Sequence, residues 1–173
     1  MTPLRLPLHL CAVLLALFFL GCATLHAQPL SGRVSWVYDG DTLKVDGIGK
    51  VRLLGIDTPE REDSARDNYY VRQGVTVQRL RAIARLALRR AVALAKGRVV
   101  TLTSDGDGRD RYGRLLAYVH LPDGRLLNRL LLEEGLASVY RKFSYRLKDE
   151  FLAVEAGARQ RGVGLWQRSP GGG

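Results

Sequence analysis

Apolar and polar residues alternate in the first part of the chain, with Val34, Trp36 and Tyr38 on one face. This period of two predicts a strand over residues 31–38. Asp39-Gly40-Asp41 is typical of a hairpin turn, and extended character resumes at Leu43. A second Asp-Gly turn follows at Asp46, so we expect a meander of three short strands.

The third strand carries an apolar run, 51–56, with one charge set into it, Arg52. Pro59 cannot donate to a sheet, so we expect this strand to end there. Asp57 and Glu60 then lie at the C-terminal end of this strand. A cation and two carboxylates on a stiff element suit a metal and phosphate site; the alternative is a chance ion pair beside a polar loop.

Apolar residues then recur at intervals of three and four, which predicts a helix from about Val75 to Lys96. The polar stretch 61–73 before it is predicted to be a loop. Three arginines form one stripe on the helix, namely Arg81, Arg85 and Arg89. This stripe is either a solvated face or a secondary contact with a phosphate backbone.

The second half of the chain predicts two more strands and two more helices. The strands are expected at 98–103 and 115–121. A short helix capped by Asn128 is expected at 128–134, and a last helix at 147–161. Five short strands with a helix between the third and fourth predict an α+β OB-fold, a five-stranded β-barrel with three helices.

Charge narrows the class of partner. The 173 residues include 27 Lys and Arg against 17 Asp and Glu, with a pI near 10.1. Such a surface attracts polyanions, with nucleic acid and anionic membrane as the usual candidates. The length suits one domain with a real core, which we assign to residues 30–168.

Residues 1–27 resemble a secretory signal peptide, with Arg5 before a short apolar run. Both cysteines, Cys11 and Cys22, fall inside it, so the mature domain is expected to contain no disulfide. Export to the periplasm or medium is expected; lipidation at Cys22 is the alternative. Residues 169–173 are predicted to be a flexible tail.

Four motifs follow one another in a fixed order. They are Asp39-Gly40-Asp41-Thr42, Arg52 with Asp57-Thr58-Pro59-Glu60, Asp110-Arg111-Tyr112-Gly113-Arg114, and Glu134-Gly135-Leu136-Ala137. Together they resemble the thermonuclease (staphylococcal nuclease-like) family, from about Val34 to Trp166. Each motif alone is weak evidence, but their order and spacing are specific. The stretch 63–73 is longer than a short family linker.

The resemblance implies a Ca²⁺ site formed by Asp41, Asp57 and the backbone carbonyl of Thr58. Carboxylates and carbonyls are the oxygen ligands that Ca²⁺ prefers. The resemblance also implies that Glu60 is the general base, although a role in positioning water remains the alternative.

Arg52 and Arg114 match the family's catalytic arginines, and a planar guanidinium suits two-pronged contact with phosphate oxygens. Arg111 and Tyr112 are expected to contact substrate, and Tyr140 is a weaker candidate for the same role. Either tyrosine could instead belong to the core.

The predicted function is that of an exported, Ca²⁺-dependent endonuclease of DNA and RNA. The resemblance implies low sequence specificity and 3′-phosphate ends. No protein partner is implied, and a monomer is expected. The alternative is a noncatalytic nucleic-acid-binding OB-fold module, which would bind without cleavage. Adhesion to anionic lipid has only the arginine stripe in its favour.

Overall fold

The structure is a computed structural model that describes residues 30–106 and 108–167. The predicted signal peptide, Cys11 and Cys22, and the predicted tail at 169–173 lie outside these ranges. Within these ranges, every helix is too short or too polar to span a bilayer.

Strands of the described ranges form a barrel and a small separate sheet. They are β1 (Leu30–Val37), β2 (Thr42–Val45), β3 (Gly49–Leu53), β4 (Ile56–Asp57), β5 (Val99–Thr103), β6 (Leu115–His120) and β7 (Ser138–Val139). The closed barrel has the order β1-β2-β3-β6-β5, with β3 and β6 parallel and the other neighbours antiparallel. The predicted α+β OB-fold is therefore confirmed.

Helices pack around this barrel. In the described ranges they are α1 (Asp67–Val71), α2 (Val77–Ala95), α3 (Leu127–Glu133) and α4 (Lys148–Arg161), followed by a 3₁₀ turn at Gly164–Trp166. The hydroxyl of Thr76 accepts a hydrogen bond from the amide of Arg79 (3.2 Å) and so caps α2. The buried face of α2 follows the predicted periodicity: Leu80, Ile83, Ala84, Ala87, Ala91, Leu94 and Ala95.

The apolar run 51–56 is not one strand, contrary to the prediction. β3 ends at Leu53, and the chain turns at Gly55, where φ is +82°. A side chain there would also meet the ring of Tyr145 at 2.5 Å, so both the turn and the close contact require glycine. As a result Asp57 lies in β4, outside the barrel, and pairs with Ser138 of β7.

The prediction of a loop over residues 61–73 is wrong in part, because α1 lies within it. The carboxylate of Asp67 accepts the amide of Ser64 (3.2 Å), and the fully buried Tyr70 fixes the helix to the core. One local hydrogen bond and the burial of one ring in the core thus order a stretch in which no apolar periodicity is visible.

The predicted cap at Asn128 is also wrong. Asn128 lies inside α3, after the cap position at Leu126, and is fully buried. Its side chain accepts the amide of Val119 (3.0 Å) and donates to the carbonyl of Leu54 (2.9 Å). Because a buried amide needs partners on both ends, Asn128 ties α3 to the barrel wall.

Candidate active site

An open cleft of about 720 Å³ lies beside the C-terminal ends of β3 and β4. Charged and aromatic side chains line it: Arg52, Asp57, Glu60, Arg66, Asp110, Arg111, Tyr112, Arg114, Tyr140, Lys142 and Phe143. The structure thus brings together seven of the nine predicted site residues. The remaining two, Asp41 and Thr58, lie buried directly behind Arg52 and Asp57.

Asp41 is 2% exposed and lies in the turn that precedes β2. The carboxylate of Asp39 accepts its amide (3.0 Å) and fixes the turn. One carboxylate oxygen of Asp41 accepts the amide (2.8 Å) and hydroxyl (3.0 Å) of Thr58. Gly40 permits this approach, since a side chain there would lie 2.7 Å from Thr58 and 2.6 Å from Ala87.

Arg52 bridges the two aspartates. Its guanidinium donates to Asp41 Oδ1 through Nη1 and to Asp57 Oδ1 through Nη2 (2.7 Å). Burial alone would lower the pKa of Arg52, but the combined charges of Asp41 and Asp57 raise it above its ordinary value. One guanidinium therefore holds both predicted metal ligands close together.

Asp57 has two further partners. Its Oδ2 accepts from Arg66 Nε (2.9 Å) and Nη2 (2.5 Å), and from the hydroxyl of Tyr70 (3.3 Å). That hydroxyl also bonds Ser138 Oγ (3.0 Å). Burial and the charge of Asp41 raise the pKa of Asp57, whereas Arg52 and Arg66 oppose this rise.

Glu60 is exposed at the rim of the cleft, directly after the buried Pro59. Partial burial, with the charges of Asp41 and Asp57, raises its pKa from the ordinary value of 4.5. A carboxylate with a raised pKa is a stronger proton acceptor when ionised. Glu60 is therefore placed where it can exchange protons with a group in the cleft.

Arg114 lines the cleft directly before β6. It follows a loop in which Asp110 Oδ1 accepts the amides of Tyr112 (2.9 Å) and Arg114 (3.0 Å). The guanidinium of Arg114 donates to Asp110 Oδ2 (2.7 Å) and reaches the hydroxyl of Thr42 (3.5 Å). Asp110 thus fixes both the loop and the arginine, and points Arg114 toward the start of β2.

The three predicted substrate contacts all line the cleft. Tyr112 is 67% exposed, so its alternative assignment to the core is wrong. Its hydroxyl accepts from Arg111 Nη2 (2.6 Å). Tyr140 is half-buried and packs on Phe143, with ring centroids 5.1 Å apart. Exposed rings beside cations can stack on bases while the cations meet phosphates.

The residues fit a hard divalent cation. Among residues 30–106 and 108–167, no group of three or more Asp, Glu, His or Cys side chains forms a metal site. The Asp41 and Asp57 carboxylates nevertheless contact the same guanidinium, which places a positive charge between them. Two carboxylates so arranged suit Ca²⁺, whose remaining ligands would be carbonyl, water or substrate oxygens.

The sequence does not identify Arg66, Tyr70 and Arg81 as contributors to the site. Arg66 and Tyr70 fall in the stretch that was predicted to be a loop. Arg81 was noted only as part of the arginine stripe, which is not uniform, because Arg85 and Arg89 are exposed whereas Arg81 is not. No local pattern indicates the partners of these residues, which lie on other elements.

Arg81 holds the segment 60–66, which we term the rim loop. Its Nη1 donates to the carbonyl of Glu60 (3.0 Å), and its Nη2 donates to Asp63 (2.9 Å) and to Asp67. The side chains of Arg81 and Asp67 are only 14% and 12% exposed. This ion pair thus connects the rim loop to α2.

We expect Arg81→Met to lower the free energy of unfolding by about 1–2 kcal/mol, because Asp67 loses a charged partner in a largely buried place. Trypsin should also cut faster at Arg61 and Arg66. Urea denaturation and a tryptic time course measure both effects. Arg85→Met, one turn along α2 and exposed, is the matched control; equal behaviour of the two variants would contradict the role of Arg81.

Comparisons with known proteins agree with this geometry. Residues 50–168 match the model of the family described as staphylococcal nuclease homologue. An uncharacterized protein of Methanocaldococcus jannaschii is 38% identical over 152 residues, covering 80% of this chain and 72% of that protein.

Two further relatives carry names that describe an activity. A protein of Escherichia coli named uncharacterized endonuclease is 34% identical, with 84% of this chain and 79% of that protein covered. The thermonuclease of Staphylococcus intermedius is 34% identical, with 78% and 75% covered. The barrel has the expected topology, and the family model matches more than half of the chain. The chain therefore belongs to the staphylococcal nuclease homologue family.

Proposed function

We propose that this chain is a Ca²⁺-dependent endonuclease that hydrolyses the phosphodiester bonds of DNA and RNA with low sequence specificity. Its family and its relatives named endonuclease and thermonuclease support phosphodiester hydrolysis. The observation that carries the proposal is the cleft in which Arg52 joins Asp41 and Asp57, with Glu60 and Arg114 at its sides.

Asp41, Asp57 and the carbonyl of Thr58 would hold the calcium ion. When bound, the ion would polarise a phosphoryl oxygen and neutralise part of the charge that develops there. Two protein carboxylates leave coordination positions for substrate and water oxygens, as a catalytic site requires.

The chain's own side chains supply the rest of the chemistry. Glu60 accepts the proton of the attacking water. Arg52 and Arg114 donate to the phosphate oxygens, whose charge grows in the transition state. As the water oxygen bonds to phosphorus, the bond between phosphorus and the 5′ oxygen would break, and the 5′ oxygen would take a proton from solvent. The products would be a 5′-hydroxyl and the 3′-phosphate ends that the family resemblance implies.

Low sequence specificity is consistent with the side chains that line the cleft. Arg111 offers charge to phosphates, and Tyr112 and Tyr140 offer aromatic faces. Stacking on an aromatic face tolerates every base, because each base has a π-face. The net charge of +10 on the full chain adds attraction that does not depend on sequence.

Export as a monomer completes the proposal. The support for export is the pattern of residues 1–27, with Arg5 before an apolar run. Lipidation at Cys22 would instead anchor the protein to a membrane. Mass spectrometry of the mature N-terminus distinguishes the two.

A noncatalytic binding module is the second candidate, favoured only by the OB-fold and the basic charge. Such a module has no need of Glu60 and Arg114 at the cleft, where this chain retains both. It would bind nucleic acid in a salt-sensitive way and leave it intact in the presence of calcium.

Chelation tests the proposal. We expect EGTA to slow the digestion of plasmid DNA and of RNA at least about a hundredfold, because the transition state loses its divalent charge. Added calcium should restore the rate. Gel electrophoresis measures the digestion, and sensitivity of the new ends to a 3′-phosphatase checks the product.

Undiminished cleavage in EGTA would refute the calcium requirement. Salt-sensitive binding without cleavage in calcium would instead favour the noncatalytic module.

A further inference from the structure

The carboxylate of Asp57 is almost fully enclosed. Its side chain is 9% exposed, and its two oxygens accept from three side chains. Arg52 takes Oδ1, whereas Arg66 and Tyr70 take Oδ2 through three hydrogen atoms. Two carboxylate oxygens offer about four acceptor positions in all, so a cation can reach Oδ2 only if a donor leaves.

Arg66 is the donor placed to leave. Tyr70 is fully buried in the core and also bonds Ser138, which keeps its hydroxyl in place. The side chain of Arg66, in contrast, is 30% exposed and lines the cleft beside Arg52 and Arg114. A half-buried cation on the cleft wall can move toward the cleft without opening the core.

Two rings define where this guanidinium can go. It lies 5.3 Å from the ring centroid of Tyr69 and 5.4 Å from that of Tyr140. Attraction between a cation and an aromatic face keeps the guanidinium on these rings after its partner is lost. Since Tyr140 also lines the cleft, a displaced Arg66 would remain beside the substrate.

We propose that Arg66 exchanges partners during the reaction cycle: it holds Asp57 in the metal-free protein and moves to a substrate phosphate when calcium binds Asp57. This inference rests on the proposed function. A divalent cation and a guanidinium on the same carboxylate oxygen repel each other, whereas a phosphate attracts the released arginine and accepts two of its hydrogen bonds. Arg66 thereby lowers calcium affinity in the absence of substrate and raises affinity for substrate in the presence of calcium.

Calorimetry on the Arg66→Gln variant tests the exchange. In the absence of nucleic acid, we expect calcium to bind this variant about three- to tenfold more tightly than the wild type, because its competitor has been removed. At saturating calcium, KM for a single-stranded oligonucleotide should rise about tenfold, with a smaller change in kcat. A merely structural role would weaken calcium binding instead.

Two variants complete the design. Arg72→Gln removes the same charge from the exposed end of α1, where Arg72 donates to the carbonyl of Asn68, and should change neither constant. Arg66→Lys keeps the charge but loses the two-pronged contact, so its calcium affinity should lie between that of the wild type and that of Arg66→Gln. This variant also serves if Arg66→Gln does not fold.

The outcomes separate the two proposals. If the Arg66 variants bind calcium as tightly as the wild type, or more weakly, the exchange is overturned and the nuclease assignment stands. A folded wild-type protein that binds no calcium overturns the proposed calcium site, and the exchange with it.

Discussion

Glu60→Gln is expected to lower kcat about 10²- to 10⁴-fold, the range by which a positioned general base accelerates a reaction. Glutamine matches the size of glutamate and keeps a hydrogen-bond acceptor, but it cannot take a proton from water. Glu60 is exposed at the rim and its carbonyl is held by Arg81. The substitution should therefore leave the fold and the unfolding midpoint unchanged.

The pH profile distinguishes a base from a residue that only positions water. Glu60 must be ionised to accept a proton, and burial with the charges of Asp41 and Asp57 raises its pKa above 4.5. Wild-type activity should therefore fall as the pH is lowered through that raised pKa. The Glu60→Gln variant should lose the part of this acid limb that Glu60 causes and keep only the part that follows protonation of Asp57, whose pKa is also raised by burial and the charge of Asp41.

Glu62→Gln is the matched control, since Glu62 is exposed two residues further along the rim loop. It should retain the wild-type rate and pH profile. A Glu60→Gln variant that cleaves at wild-type rate would refute the assignment of Glu60 as the base. Loss of rate with an unchanged acid limb would restrict Glu60 to positioning water.

Arg114→Lys is expected to reduce kcat about a thousandfold, with little change in KM. The scale is that of arginines acting on phosphoryl transition states, which contribute about 10³–10⁵ in GTPases. Lysine keeps the charge and can still pair with Asp110, so the loop should remain folded. It cannot donate two parallel hydrogen bonds to a phosphate whose charge is growing.

Steady-state kinetics on a defined oligonucleotide measure the effect. A loss confined to kcat identifies a contact made in the transition state, whereas a loss confined to KM identifies uniform binding. Arg125→Lys is the control, because Arg125 pairs with Asp123 in the turn after β6, away from the cleft. Wild-type kcat in Arg114→Lys would contradict the catalytic role.

The barrel could be predicted because its signals are local. The Asp-Gly turns and the periodicity of α2 each depend on a few neighbouring residues. The alternation predicted for β1 is wrong in part, because a bulge in this strand buries Val37 and leaves Trp36 52% exposed. The motifs around Asp41, Asp57 and Arg114 are equally local, so the sequence sufficed to name nine of the residues that line or underlie the cleft. Their individual roles remain predictions until the variants are measured.

The break in the run 51–56 could not be predicted, although Gly55 was visible. Glycine within a strand pattern is tolerated or marks a bend. What makes it a turn here is the ring of Tyr145, which lies 90 positions further along the chain and whose hydroxyl donates to the Gly55 carbonyl (3.0 Å). This turn moves Asp57 out of the barrel and into contact with Arg66.

The sequence by itself determined the fold class, the family and the candidate chemistry, since each depends on residue type and spacing. Only the tertiary structure decided which charges meet: Arg52 with both aspartates, Arg66 with Asp57, and Arg81 with the rim loop. The physical reason is that an ion pair depends on distance in space. Arg81 and Asp67 are 14 positions apart, and no periodicity in the sequence indicates that their helices pack together.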